Sequence, residues 1–312
     1  MHAGFVVTSA DATEVDKFLV MSAPLIFDRK LYARRRLRAE NATRDSFLVR
    51  HAAENLSERL GAAKRRFLRA LDLSSRHQSF AMLSPHAESW LRTGLHRDTR
   101  TVDIVADEET LPFAPQRFDL IVSVLGLHAV NDLPGALVQI RRALTPEGLF
   151  MAALFGGATL VELRRALASG EAETSGGASP RVAPFADVRD MGALLQRAGF
   201  ALPVTDIDRL TVRYASPLAL MHDLRRMGAG NVLTERRRTP LRRATLRRVF
   251  EIYAERYCDP DGRVRATFEI VWLSGWAPHE SQQQPLKPGS AKTRLADALR
   301  TQEVSAGEKA GG

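Results

Sequence analysis

The sequence predicts an α/β fold built on a mostly parallel sheet, and three observations predict it. Four short apolar runs, Ala70-Leu-Asp-Leu73, Val102-Asp-Ile-Val-Ala106, Phe118-Asp-Leu-Ile-Val-Ser-Val124 and Leu149-Phe-Met-Ala-Ala-Leu-Phe155, have the near-continuous hydrophobicity of strands buried on both faces. Between the last two, Leu133, Leu137, Ile140 and Leu144 recur at helical spacing, which completes a βαβ unit. An acid, Asp107, stands directly after a strand, where open α/β sheets place their ligands. At 312 residues and 45% hydrophobic content the chain can bury one sizeable core with additions.

The elements follow from their punctuation. Residues 1–23 carry Asp11, Glu14 and Asp16 without a basic start or a sustained apolar centre, so they read as a disordered extension and not as a secretory signal. Structure is expected from Ile26-Phe-Asp-Arg-Lys30, an onset that would also suit translation beginning at Met21. The globular domain is set at residues 24–278. Over residues 28–70, Leu48, Ala52, Leu56 and Leu60 give helical spacing and Gly61 offers a break, predicting two helices that form a lid ahead of the sheet. After the first three strands, Asp132 can cap the helix beginning at Leu133, and Pro146-Glu-Gly148 stops it, giving a right-handed crossover. Gly156-Gly157 opens a further helix through Leu167, and Ser169 to Pro184 reads as a mobile loop. Val188 to Ala198 is a helix closed by Gly199, with Leu194 and Leu195 inward. Asp206–Tyr214 and Arg263–Trp272 are strands, the second alternating apolar and polar residues. A helix can start at Pro240, with Leu241, Val249, Ile252 and Tyr253 as its buried stripe, and residues 279–312, with Gln282-Gln-Gln284 and a terminal Gly-Gly, read as a flexible tail.

Composition narrows the function classes. The net charge of +9 rests on 39 Arg against 6 Lys. Arg34-Arg-Arg36 with Arg38, and Arg236-Arg-Arg238 with Arg242, Arg243, Arg247 and Arg248, read as solvated faces or as a dock for an acidic protein surface. No aromatic residues interleave them, so nucleic acid is not an expected partner. The single cysteine, Cys258, excludes an intramolecular disulfide and a cysteine-cluster metal site, and fits a reducing cytoplasm. No apolar run approaches the roughly 20 residues of a membrane span, which leaves peripheral association open.

Strand, acidic turn, strand and crossover helix together resemble the second half of a class I methyltransferase-like (Rossmann-like) domain, a family that uses S-adenosylmethionine. The resemblance implies a glycine-rich turn after the first strand, where a backbone without side chains lets the cofactor approach. Here that turn is Leu71-Asp72-Leu73-Ser74-Ser75-Arg76-His77-Gln78, with Ser74, Arg76 and Gln78 where the pattern has glycines. It also implies a ribose-binding acid after the second strand. The interval from Asp72 to Val102 shows no clear strand ending in an acid, and only Glu88 and Asp98 are available there.

Asp107 is better placed to accept from an adenine amino group, beside Glu108 and an apolar wall at Leu111-Pro-Phe113; it could equally cap the following turn. Ser123 to His128 would face the sulfonium side. The cofactor-binding candidates are therefore Asp72, Asp107, Glu108, Ser123 and Leu125, with no catalytic residue or metal ligand assigned. His128 reads either as a base or as a hydrogen-bonded histidine at a strand end.

A closer resemblance lies in Ile26-Phe-Asp-Arg29, Ala106-Asp-Glu-Glu-x-Leu-Pro-Phe113, Leu127-His-x-Val-Asn-Asp-Leu-Pro134, Phe155-Gly-Gly-x-Thr-Leu-x-Glu-Leu-Arg164, Ser179-Pro-x-Val-x-Pro-Phe185 and His279-Glu-Ser281. These motifs, spread over residues 24 to 296, are similar to the complex I assembly factor 5 family, mitochondrial proteins with bacterial relatives, itself related to the biotin-pathway carboxyl methyltransferase. That resemblance implies a protein acting on or assembling a respiratory complex I subunit, with hydroxylation of an arginine in the mitochondrial members. Two readings follow: an enzyme using S-adenosylmethionine, or an inactive methyltransferase-fold chaperone that does not bind it.

Overall fold

A computed structural model describes residues 25–41, 46–97, 102–282, 297, 300 and 301. The chain falls into two compact units, residues 1–278 and 279–312. The expected N-terminal extension, most of the expected tail, and Asp98 lie outside the described residues.

Seven strands form one sheet in the order β3-β2-β1-β4-β5-β7-β6. They are β1 (Phe67–Leu73), β2 (Ala87–Gly94), β3 (Ile104–Val105), β4 (Phe118–Val124), β5 (Leu144–Phe155), β6 (Ala201–Tyr214) and β7 (Val264–Trp276). The first five run parallel, and β7 runs antiparallel to both neighbours, β5 and β6. Helices α1 (Arg29–Asn41) and α2 (Phe47–Ala62) precede β1, and α3 (His77–Leu83) follows it. Then come α4 (Leu133–Ala143), α5 (Val161–Ser175), α6 (Val188–Arg197), α7 (Pro217–Arg226) and α8 (Arg243–Tyr257).

Side-chain alternation sorts the core into two layers. On β4, Leu120, Val122 and Val124 pack toward α2, α5 and α8, whereas Phe118 and Ile121 pack toward α4 and α6. On β5, Leu149, Met151, Ala153 and Phe155 take the first face, and Phe150, Ala152 and Leu154 the second. Period-two burial on both faces is what the uninterrupted apolar runs of parallel strands produce. The two layers close the crossover helices over the sheet and leave the carboxyl ends of β1, β4 and β5 along one rim.

Several expectations need correcting. Only α1 is a lid; α2 belongs to the core, with Leu48, Ala52, Ala53 and Leu56 fully buried, and Gly61 sits in its last turn instead of separating two helices. The interval after Asp72 holds α3 and a complete strand, β2, hidden because Glu88, Ser89 and Arg92 interrupt its apolar residues near the sheet edge. Only Ile104 and Val105 of the expected Val102–Ala106 run pair as strand. Asp132 caps α4 as expected, accepting from the Gly135 N–H at 2.8 Å, but Leu144 already begins β5. Helix α5 continues to Ser175, into the segment read as loop, because Glu171 anchors it: its carboxylate accepts from Ser179 and pairs with Arg181 at 2.5 Å.

Candidate functional site

Helix α1 lies across the rim, and its position is fixed by Phe27 and Asp28. The Phe27 N–H donates to Asn131 Oδ1 at 2.7 Å, the Asp28 N–H donates to the Val232 carbonyl at 2.8 Å, and the Phe27 ring joins a small core with Tyr32, Val232 and Leu233. At 100° per residue, Arg29, Tyr32 and Arg36 share one face. That face enters the cleft above β1 and β4, where the fold would hold its cofactor.

Arg36, only 4% exposed, donates to the Ser74 carbonyl at 2.8 Å and to the Tyr32 hydroxyl at 3.2 Å, with the Leu125 carbonyl at 3.5 Å. Arg29 pairs with Asp107 at 2.7 Å and with Glu108, and donates to the Ala129 carbonyl at 2.9 Å. Burial, the largest influence on Arg29, opposes its charge, and the Glu108 and Asp107 carboxylates more than offset it, raising its pKa. Burial raises Glu108, with Arg29 pulling the other way. Asp107 also caps its own turn, accepting from the Glu109 N–H at 3.0 Å. The two acids expected to receive adenine are thus held by the protein's own lid.

The substituted glycine positions each have an internal partner. Ser74 keeps the left-handed backbone, φ 58°, that a glycine would supply, and its side chain fills the space over Gly126, where an added Cβ would come within 2.7 Å of Ser74 Cβ. Arg76 donates to the Met227 carbonyl at the end of α7 at 3.1 Å, and burial followed by the charge of Arg36 brings it down to about 9. Gln78 bridges the Ser46 N–H and carbonyl, tying α3 to the start of α2.

Asp72 and Ser123 lie beneath this layer, fully buried, and neither the Asp72 carboxylate oxygens nor the Ser123, Ser74 and Ser75 hydroxyls complete a hydrogen bond among the described residues. Burial lifts Asp72 to about 7, opposed by the nearby Ser75 hydroxyl and the Arg36 and Arg92 charges. Leu125 follows β4 directly in a left-handed conformation, φ 49°. Strand β2 ends in Thr93-Gly94, without an acid; Glu88 pairs instead with Arg66 at 3.1 Å.

S-adenosylmethionine would need both polar partners and room in this cleft. The buried oxygens of Asp72, Ser74, Ser75 and Ser123 would suit a polar ligand. The space does not: between Tyr32, Arg36, Ser74, Ser75 and His96 it measures about 10 Å³, the room of a single water. With α1 in this position the cofactor does not fit. A hydroxylase iron would need converging histidine and carboxylate donors, and among the described residues no group of three His, Cys, Asp or Glu side chains provides them.

Beside the closed cleft, on the other flank of α1, is an open cavity of about 770 Å³. Its floor is Phe155, Phe185 and Phe268 with His128 packed edge-on among them, its ring centroid 4.8 Å from that of Phe155. Burial, then the charges of Arg36 and Arg76, push His128 down to about 3, so it stands neutral, with Nδ1 unbonded among the described residues. Sequence reasoning did not find this cavity or the roles of Arg29, Tyr32, Arg35 and Arg36. The available signal was Arg29, Tyr32 and Arg36 at spacings of three and four residues immediately after Phe27-Asp28.

Comparison with known proteins agrees with this architecture. The family model described as Methyltransferase domain matches residues 59–152. The chain is 38% identical over 298 residues to the mitochondrial arginine-hydroxylase NDUFAF5 of Mus musculus, covering 91% of this chain and 87% of that one. It belongs to the NDUFAF5 family. The human member is 39% identical over 286 residues, with 87% of this chain and 83% of that one covered. A more distant relative is the malonyl-[acyl-carrier protein] O-methyltransferase of Halorhodospira halophila, 35% identical over 76% of this chain and 84% of that one. Among solved structures, the YcgJ protein from Bacillus subtilis is similar with a TM-score of 0.51 at 12% identity, over 73% of this chain and 99% of that one. A putative methyltransferase from Bacillus halodurans has a TM-score of 0.50 at 14% identity, over 72% of this chain and 100% of that one. Both share the methyltransferase-type fold. No described helix is long and apolar enough to cross a membrane.

Proposed function

We propose that this protein acts on or assembles a subunit of respiratory complex I, from the cytoplasmic side in a bacterial cell, with any membrane contact peripheral. The observation that carries the reading is 37–39% identity to four vertebrate NDUFAF5 proteins over about nine-tenths of the chain. Affinity capture of the tagged full chain under native conditions tests it. Enrichment of a complex I subunit is the expected result, and a capture without one counts against the reading.

S-adenosylmethionine enters this reading only with α1 withdrawn. Asp72, Ser123 and the backbone at Leu125 would then line the freed space, and Asp107 and Glu108 would lose Arg29 as a partner. The ties made by Ser74, Arg76, Gln78 and Arg36 favour a second reading, an assembly factor that uses the fold without the cofactor. Calorimetric titration with S-adenosylmethionine separates the two. Binding that strengthens in Arg36→Ala supports the gated cofactor site, and absence of heat in both proteins supports the cofactor-free role.

A further inference from the structure

The open cavity carries an unusual charge pattern. Among the described residues, five arginines line it, Arg35, Arg38, Arg181, Arg225 and Arg226, and no aspartate or glutamate does. Arg181 is neutralised by Glu171. The side chains of the other four make no ion pair or hydrogen bond among the described residues. Arg38, Arg225 and Arg226 are exposed at the mouth, where solvent can carry their charge, but Arg35 is half-buried. Its guanidinium is packed over Gly230, where an added Cβ would lie 2.3 Å from Nη1, so a larger residue there would push the guanidinium aside. Burial, then the neighbouring charges of Arg236, Arg225 and Arg38, lower its pKa, the condition of a cation waiting for a counter-ion. Behind this ring the walls are hydrocarbon: Phe155, Phe185, Leu163 and Leu167 among them.

We propose that this cavity binds an amphipathic anion, its carboxylate or phosphate head held by Arg35, Arg225 and Arg226 and its hydrocarbon body laid against Phe155, Phe185 and Leu167. Guanidinium groups are suited to both heads because their planar fork of donors matches two oxygens at once. The volume of about 770 Å³ lies within the range of small-molecule sites. A cationic ligand is disfavoured there, since it would meet the like charges of Arg35, Arg38, Arg225 and Arg226. The inference does not depend on the complex I reading, and its test requires neither activity nor a protein partner.

The test is calorimetric titration of the full chain with decanoate, decyl phosphate and decanol. Both anions are expected to bind at least about tenfold more tightly than decanol, the better of the two identifying the head group. Arg225→Glu, on an exposed position of α7 that the fold does not need, is expected to weaken both anions about tenfold and leave decanol and the unfolding temperature unchanged. Arg35→Gln should act in the same direction. Equal affinity for decanol and the anions, no heat with any probe, or an Arg225→Glu variant that binds the anions as well as the parent would each overturn the proposal.

Discussion

The rim of this sheet carries two sites that differ in almost every physical respect although one helix borders both. Over β1, the cleft is filled: Arg36 reaches carbonyl oxygens, Arg76 and Gln78 hydrogen-bond to backbone groups, and the Ser74 side chain packs against Gly126. Over β4 and β5, the space is open, and the Arg35 guanidinium has no hydrogen-bond or ion-pair partner among the described residues. Arg35 and Arg36 are adjacent in sequence and point to opposite flanks because a helix turns 100° per residue. The comparison teaches that a guanidinium taken out of water stabilises where carbonyls or carboxylates receive it, as for Arg36 and Arg29, and contributes little where it has neither, as for Arg35.

Removing the shared wall should have the largest effect. Phe155 ends β5 in the main core and floors the open cavity, so Phe155→Ala is expected to cost about 3–5 kcal/mol in chemical denaturation. Asp72 probes the closed side through pH. Its folded pKa of about 7 exceeds the ordinary 3.8, so the folded state holds the proton more tightly, and this contribution to stability is present below pH 4 and lost as pH rises through 7. Asp72→Asn should therefore gain about 4 kcal/mol at pH 8 and little at pH 4, as read from unfolding at the two pH values. A pH-independent change would mean the carboxylate is satisfied in solution. The smallest effect sharpens the contrast directly: Arg36→Ala should lose about 2 kcal/mol with its charge-assisted hydrogen bonds, whereas Arg35→Ala should stay within about 0.5 kcal/mol of the parent.

Much of the architecture was legible because burial on both faces writes itself as uninterrupted apolar sequence. Strands β4 and β5 carry that signature, while the Asp132 cap was legible from its side chain and α8 from the helical spacing of Val249, Ile252 and Tyr253, although it begins at Arg243, past Pro240 and Leu241. Strand β2 does not, since near the sheet edge it tolerates Glu88 and Arg92, and α7 was missed because only Pro217, Leu220 and Leu224 of its ten residues are buried. The glycine substitutions could be located in the sequence, but not what compensates them. Ser74 is accommodated by Gly126, which is 52 positions away, and Arg76 by a carbonyl at Met227. The basic run at Arg34-Arg-Arg36 was read as solvated or docking, whereas its middle and last members belong to two different sites. Charge alone does not record which side of a helix is covered.

Gly228 joins these observations to motion. It takes φ 73° just past the end of α7 and lies 3.2 Å, measured from an added Cβ, from the Arg35 carbonyl, so α1 rests on bare backbone there. A wall seated this way has no interlocking side chains to hold it at that point, and what happens on one flank is felt on the other. An anion drawing Arg35 inward would press Arg36 home, while a nucleoside displacing Arg36 would dismantle the anion's wall. The two ligands would then oppose each other by the same factor in either direction, as thermodynamic linkage requires, without sharing a single contact.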